Sequence, residues 1–320
     1  MHYRMWRMQG IPQSFDRETL AKALRTHREL ECPVDANNAS SINQGHANNG
    51  AAVHTIARAL DGRTQIATVH FNSLPQQLQD LTKGRCLTIF LEAHISSVAA
   101  GSKRKRGSLQ GVKVTIDDRF NDLTVLHSPP EHGFDILAVS GLGSHPFGSF
   151  ASKDDGHMWL ADSLPEDFPN ARVIIYGHDT TLQSSTSFAE LDDLAGSFQM
   201  ALGQVLQPQP RRIILVGHSL GGLLIKEAIV RLSESDADAD LLVWIVGCLF
   251  FGVPNDGMKI ESLIPMVADQ PNRSLLESIR HMNSQVLNMQ KRNFSKVLAK
   301  LSLDLFCFFE TELSPTAKEV

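Results

Sequence analysis

The run Ile213-Ile214-Leu215-Val216 opens directly into Gly217-His218-Ser219-Leu220-Gly221-Gly222 and then into Leu223-Leu224-Ile225-Lys226-Glu227-Ala228-Ile229-Val230. A G-x-S-x-G set between a strand-like and a helix-like segment is a nucleophile elbow, a sharp turn that holds a serine where strand becomes helix. Glycines two before and two after Ser219 leave room for that backbone, and the helix N-terminus favours developing negative charge. A chance match in a loop lacks the preceding strand, the following helix and the additional Gly222. Ser219 is the candidate nucleophile, and a serine of this kind belongs at the carboxyl end of a strand in a parallel sheet.

The chain around this elbow is long enough for such a sheet and for a second, smaller domain: 320 residues, 42% of them hydrophobic. A net charge of -5 exerts no global pull on nucleic acid or anionic lipid. Cys32, Cys86, Cys248 and Cys307 lack C-x-x-C spacing, which points to a reducing compartment and free thiols. Met1 to Gly10 carries Arg4 and Arg7 without an apolar core, so no secretory leader is expected. The longest apolar run, Leu241 to Pro254, is too short to cross a bilayer and reads as a buried parallel strand. An intracellular, cytoplasmic protein with no transmembrane segment, no cofactor and no metal is expected; mitochondrial or ER membrane association and the nucleus are the alternative locations.

Residues 1–95 read as strand (Tyr3 to Gln9), helix (Arg17 to Leu30), strand (Ala52 to Leu60), strand (Gln65 to Phe71), short helix (Pro75 to Leu81) and strand (Cys86 to Leu91). Asp16 is an N-cap and Asp61-Gly62 a hairpin turn. The order βαββαβ predicts a small ferredoxin-like α+β domain. RNA-recognition domains share it, and Ile66 to Phe71 stands where their third-strand motif lies, but the usual stacking aromatics are largely missing. A structural or protein-contact role is therefore the default, with RNA contact the lesser reading. Residues 96–111, containing Ala99 to Ser108 with Lys103-Arg104-Lys105-Arg106, read as a basic Gly/Ser linker; the four bases also fit a nuclear-localisation signal.

In residues 112–320 the pattern alternates through Phe134 to Val139, Met158 to Leu164, Ala171 to Tyr176, Leu191 to Leu206, Ile213 to Val216, Gly222 to Leu232, Leu241 to Phe251, Ser274 to Met289, Val297 to Leu301 and Leu303 to Phe309. Such alternation predicts an α/β fold, a parallel sheet with covering helices.

Acyl transfer needs donors for the tetrahedral oxyanion. The elbow supplies the Leu220 amide, and the glycine-rich turn Ser140-Gly141-Leu142-Gly143-Ser144-His145 after Phe134 to Val139 offers Leu142 as the second; a plain turn is the alternative for that loop. The acid of a triad follows the serine, and Glu310 stands just past Leu303 to Phe309. Asp256, in Asn255-Asp256-Gly257, is the alternative acid. No histidine follows Glu310 within the sequence, so an incomplete triad is expected. His145, His178 and His281 read as structural or exposed, and His218 as pointing away from the partner of the nucleophile.

Ile136 to Phe150, Met158 to Tyr176, Ile213 to Val230, Leu249 to Met258 and Phe308 to Pro315 resemble the α/β-hydrolase domain at the N-terminus of fungal multidomain proteins. These are similar to the DUF676 serine esterases and to the serine-active-site-containing, SERAC-like group. The strings GLGSHPFGSF, MWLADSLP, GHSLGG, FFGVPNDGM and SLIPMVADQPNRSLLESI carry the resemblance across most of residues 112–320. It implies an ester-hydrolysing domain that precedes a nucleotide-binding or repeat-containing region, with a histidine-bearing last strand after the segment resembling Phe308 to Pro315. The function expected is a serine esterase or lipase-like hydrolase acting on an ester or lipid-like small molecule, with a protein partner available to residues 1–95. The alternative is a pseudoenzyme or interaction module, the chain being truncated before the triad histidine.

Overall fold

A computed structural model describes residues 4–32, 49–81, 85–93, 110–183, 185–207, 209–281 and 284–311. The chain divides into two compact units, Met1–Arg119 with Val125–His127, and Phe120–Thr124 with Ser128–Val320.

The first unit runs β1 (Trp6–Pro12), α1 (Arg17–Arg25), β2 (Ala52–Arg58), β3 (Thr64–His70), α2 (Gln76–Gln79), β4 (Leu87–Ala93) and β5 (Gln110–Asp117). Asp16 starts α1 by accepting the Thr19 N–H at 2.7 Å. Leu20 and Leu24, one turn apart, then face the core with Trp6, Met8, Val69, Ile89 and Val114. The sheet order is β2-β3-β1-β5-β4, with β1–β3, β1–β5, β2–β3 and β4–β5 paired antiparallel, so the sheet has five strands where a βαββαβ order has four.

That additional strand corrects the boundary. Leu87↔Ile116 through Ala93↔Gln110 pair β4 with β5, so residues 110–117 complete the first sheet instead of opening the second domain. Val112, Val114 and Ile116 alternate as a strand should. The basic stretch Ala99 to Ser108 lies outside the described residues, in sequence between two paired strands.

The second sheet contains β6 (Asp122–His127), of which residues 122–124 belong to the second unit, and β7 (Phe134–Val139), β8 (Ala171–Gly177), β9 (Arg212–His218), β10 (Ile245–Phe251) and β11 (Asp304–Phe308), in the order β11-β10-β9-β7-β8-β6. The pairs β7–β8, β7–β9, β9–β10 and β10–β11 are parallel. Helices α3 (Trp159–Asp162), α4 (Leu164–Asp167), α5 (Leu191–Leu206), α6 (Leu220–Glu234), α7 (Arg273–Ser278) and α8 (Gln285–Leu298) interleave with the strands, and α6 packs against both α5 and α8. Within the sheet the Asp135 carboxylate of β7, fully buried, receives two hydrogen bonds from Arg172 of β8 at 2.7 and 2.8 Å. Among the described residues no helix is long and apolar enough to cross a membrane.

Several expected elements split. Leu241 to Phe251 divides into a 3-10 turn, Ala239–Trp244, and β10; Ser274 to Met289 divides into α7 and the first part of α8. Val297 lies in α8, and Tyr3 lies outside the described residues.

Candidate active site

Chain order places the site. After β7 the chain passes to β8 on one side, and after β9 to β10 on the other, so the loops leaving β7 and β9 diverge at a switch point. Ser219 stands there with φ 50° and ψ -122°, a strained backbone for a residue with a Cβ, as the first residue before α6. The neighbouring glycines have steric reasons. A Cβ on Gly217 would come within 2.6 Å of the Gly222 Cα, and one on Gly221 within 2.3 Å of the Val139 carbonyl oxygen. Gly221→Ala should thus push the helix start off β7, lower stability by about 1–3 kcal/mol and slow covalent labelling of Ser219. Thermal melting and labelling rates check this; unchanged values for both would contradict it.

The turn after β7 comes up against the serine: a Cβ on Gly141 would lie 2.9 Å from the Ser219 Cβ and 3.2 Å from the His218 Nδ1. Ser144 Oγ donates to the Gly141 carbonyl at 2.8 Å, and the Gly143 N–H donates to Thr180 Oγ1 at 3.0 Å. The Leu142 side chain packs on a separate apolar cluster of Ile260, Val267 and Leu276, joined by Leu182, Met258 and Ile264.

A cavity of about 570 Å³ is lined by the polar side chains of His218, Ser219, Asn255 and Glu310 and by the apolar ones of Phe250, Val253, Pro254, Met258, Phe308 and Phe309. Glu310 reaches it from just past β11, its Oε1 3.1 Å from where a Cβ on Gly252 would stand. Asp256 is outside the lining residues: its exposed carboxylate pairs with Lys291 at 3.0 Å. Of the two candidate acids, Glu310 shares the cavity with Ser219.

The histidines sort by surroundings. His145 Nδ1 accepts the N–H groups of Phe147 and Gly148 at 3.2 and 3.1 Å, and its ring stands edge-on to Phe120. His281 Nδ1 donates to the Asp256 carbonyl at 3.1 Å at an exposed position. His218 lines the cavity with its Nδ1 buried and without a hydrogen bond; burial lowers its pKa, and nearby Glu310 opposes that shift. No histidine among the described residues hydrogen-bonds the Ser219 hydroxyl.

His178, just past β8, stacks on Tyr176, and both its ring nitrogens are buried without partners. Burial pushes its pKa down to about 4, with Asp179 opposing. The unfolded chain takes up this proton below about pH 6.5 and the folded chain only near pH 4, so stability is full above 6.5 and declines as pH falls between the two values. The loss over that interval is about 3 kcal/mol. His178→Phe should flatten the decline in melting temperature between pH 7 and pH 4.5; a parallel decline in both proteins would contradict it.

Sequence reasoning did not single out Met258 as cavity wall, nor Thr180 and Ser144 as partners of the glycine turn. Met258 lay within FFGVPNDGM, but its position depends on the cluster formed by residues far along the chain.

No family model matches the chain. Among curated proteins it is similar to Protein SERAC1 of Danio rerio, 25% identical over an alignment of 194 positions that covers 52% of this chain and 30% of that protein. The chain thus spans less than a third of that relative's length. Among solved structures it is similar to the mature lipase BlEst2 of Bacillus licheniformis, at TM-score 0.44 and 13% identity, over 60% of this chain and 73% of that one. It is also similar to phospholipase PlaB of Legionella pneumophila, at TM-score 0.41 and 13% identity, over 57% of this chain and 40% of that one. Strand order, elbow and cavity together make the second unit an α/β-hydrolase-like domain.

Proposed function

We propose that the second unit is a serine hydrolase of the esterase or lipase type, related to the DUF676 and SERAC-like serine esterases. The observation that carries this is Ser219 in its strained turn, lining one cavity with Glu310 and a mostly apolar wall. Ser219 Oγ attacks the ester carbonyl and forms a tetrahedral oxyanion, which the amides of Leu220 and Leu142 hold. Collapse expels the alcohol and leaves an acyl-serine, which water then hydrolyses. In this reading Glu310 would orient a triad imidazole that takes the Oγ proton and passes it to the leaving alcohol; no histidine among the described residues bonds Oγ to fill that role. The apolar wall suits the acyl part of an ester or lipid-like substrate.

Because no described histidine bonds the Ser219 hydroxyl, acylation should be slow in the 320-residue chain. A second reading, an interaction module on the same fold, is favoured by one further observation. Among the described residues β11 is paired only with β10 and exposes Leu305, Phe306 and Phe308, a ready edge for another strand. Incubation with nitrophenyl acetate followed by mass spectrometry separates the two readings. An acyl adduct on Ser219 supports the hydrolase, and absence of any adduct supports the module.

A further inference from the structure

An oxyanion hole works only if its amides are aimed before the charge develops, and a turn with glycines at 141 and 143 is free to rotate its peptide planes. The two planes flanking Leu142 are each pinned by a side-chain hydroxyl. Ser144 Oγ donates to the Gly141 carbonyl at 2.8 Å, which fixes the Gly141–Leu142 plane; in a trans peptide the Leu142 N–H then points opposite to that carbonyl. Thr180 Oγ1 accepts the Gly143 N–H at 3.0 Å, which fixes the Leu142–Gly143 plane. Thr180 is itself held in place. It is 5% exposed, and the next two carbonyls, of Thr181 and Leu182, accept from Asn272 Nδ2 at 2.7 and 3.2 Å. The Leu142 side chain is anchored separately in the Ile260 and Leu276 cluster.

We propose that Ser144 and Thr180 are positioning residues that lock the peptide planes on either side of Leu142, so that its amide faces the oxyanion formed at Ser219. This rests on the serine-hydrolase reading, and it adds two residues that touch no reacting atom. Removing either hydroxyl lets its plane rotate, which costs rate and leaves ground-state binding intact.

The test uses the whole chain and an alkyl fluorophosphonate, whose phosphonyl oxygen takes the oxyanion position. Maximal labelling rate and half-saturating probe concentration are measured separately for wild type, Ser144→Ala, Ser144→Thr, Thr180→Val and Thr180→Ser, with thermal melting of each. Ser144→Ala and Thr180→Val should lower the maximal rate about tenfold or more at unchanged half-saturation. Ser144→Thr and Thr180→Ser, which keep the hydroxyl, should recover most of it. Wild-type rates in both hydroxyl-free variants overturn the positioning role and leave the hydrolase reading standing. Rates that follow melting temperature, with no recovery in the hydroxyl-retaining pair, also overturn it. No labelling of Ser219 in wild type overturns the hydrolase reading and the positioning role with it.

Discussion

Ser219→Ala abolishes covalent labelling by an alkyl fluorophosphonate while leaving the thermal melt close to wild type. The alanine keeps the Cβ and the strained backbone, so the substitution removes only the hydroxyl. That hydroxyl makes no hydrogen bond to a described histidine, so no structural network is lost with it. The expected loss is on the order of a thousandfold or more, because removing a nucleophile leaves only what the oxyanion donors and binding provide. Absolute rates should be slow even in wild type, because no histidine among the described residues bonds the Ser219 hydroxyl. A variant that labels at the wild-type rate would place the nucleophile elsewhere.

Arg172→Leu should be the most destabilising single change outside the elbow. Asp135 is fully buried on β7, and Arg172, opposite it on β8, supplies both of its close hydrogen bonds and also donates to the Val205 carbonyl of α5 at 3.2 Å. Removing the cation strands a buried carboxylate, which costs about 3–5 kcal/mol, whereas a well-packed apolar replacement of both partners costs much less. Arg172→Leu with Asp135→Leu should therefore be more stable than Arg172→Leu alone. His132 Nε2 lies 3.8 Å from the Asp135 carboxylate, and its pKa is lowered by burial first and by Arg172 second. With Arg172 gone it protonates more readily and offsets part of the stranded charge. The deficit of Arg172→Leu should thus be larger at pH 8 than at pH 6. Denaturant unfolding of the three proteins at both pH values checks this, and a single variant within 1 kcal/mol of wild type at both would refute it.

What could be read from the sequence was what local chemistry determines. Phe134 to Val139 and Leu191 to Leu206 match β7 and α5 end for end, the first an apolar run broken only by Asp135, the second an amphipathic stretch whose start is fixed by the Glu190 N–H donating to Asp193 Oδ2 at 3.0 Å. Leu241 to Phe251 reads in the sequence as one buried strand, but a run apolar throughout does not distinguish a helical turn from a strand, and the chain uses both. β5 was not read as a strand, its residues being divided between the linker and the second domain, although its alternation is plain. Alternation announces a strand without naming its neighbour, and its neighbours here are β4 and β1.

The same division runs through the site. Ser219 was legible because strain, glycines and helix start all lie within six residues of sequence. Choosing between Glu310 and Asp256 required the strand order and the Asp256–Lys291 ion pair, which joins residues 35 apart. Thr180 stands 37 residues from Gly143, and Asn272 a further 91 from Thr181; neither pairing leaves a mark in local sequence.

In the function proposed, Ser219 is a nucleophile aimed into the cavity it shares with Glu310. Wild-type chain incubated with excess alkyl fluorophosphonate, digested and mapped by mass spectrometry, tests it most directly. A single phosphonyl adduct on Ser219, absent after prior unfolding, is the result the structure predicts. An adduct on another residue, or equal modification of the unfolded chain, would contradict it.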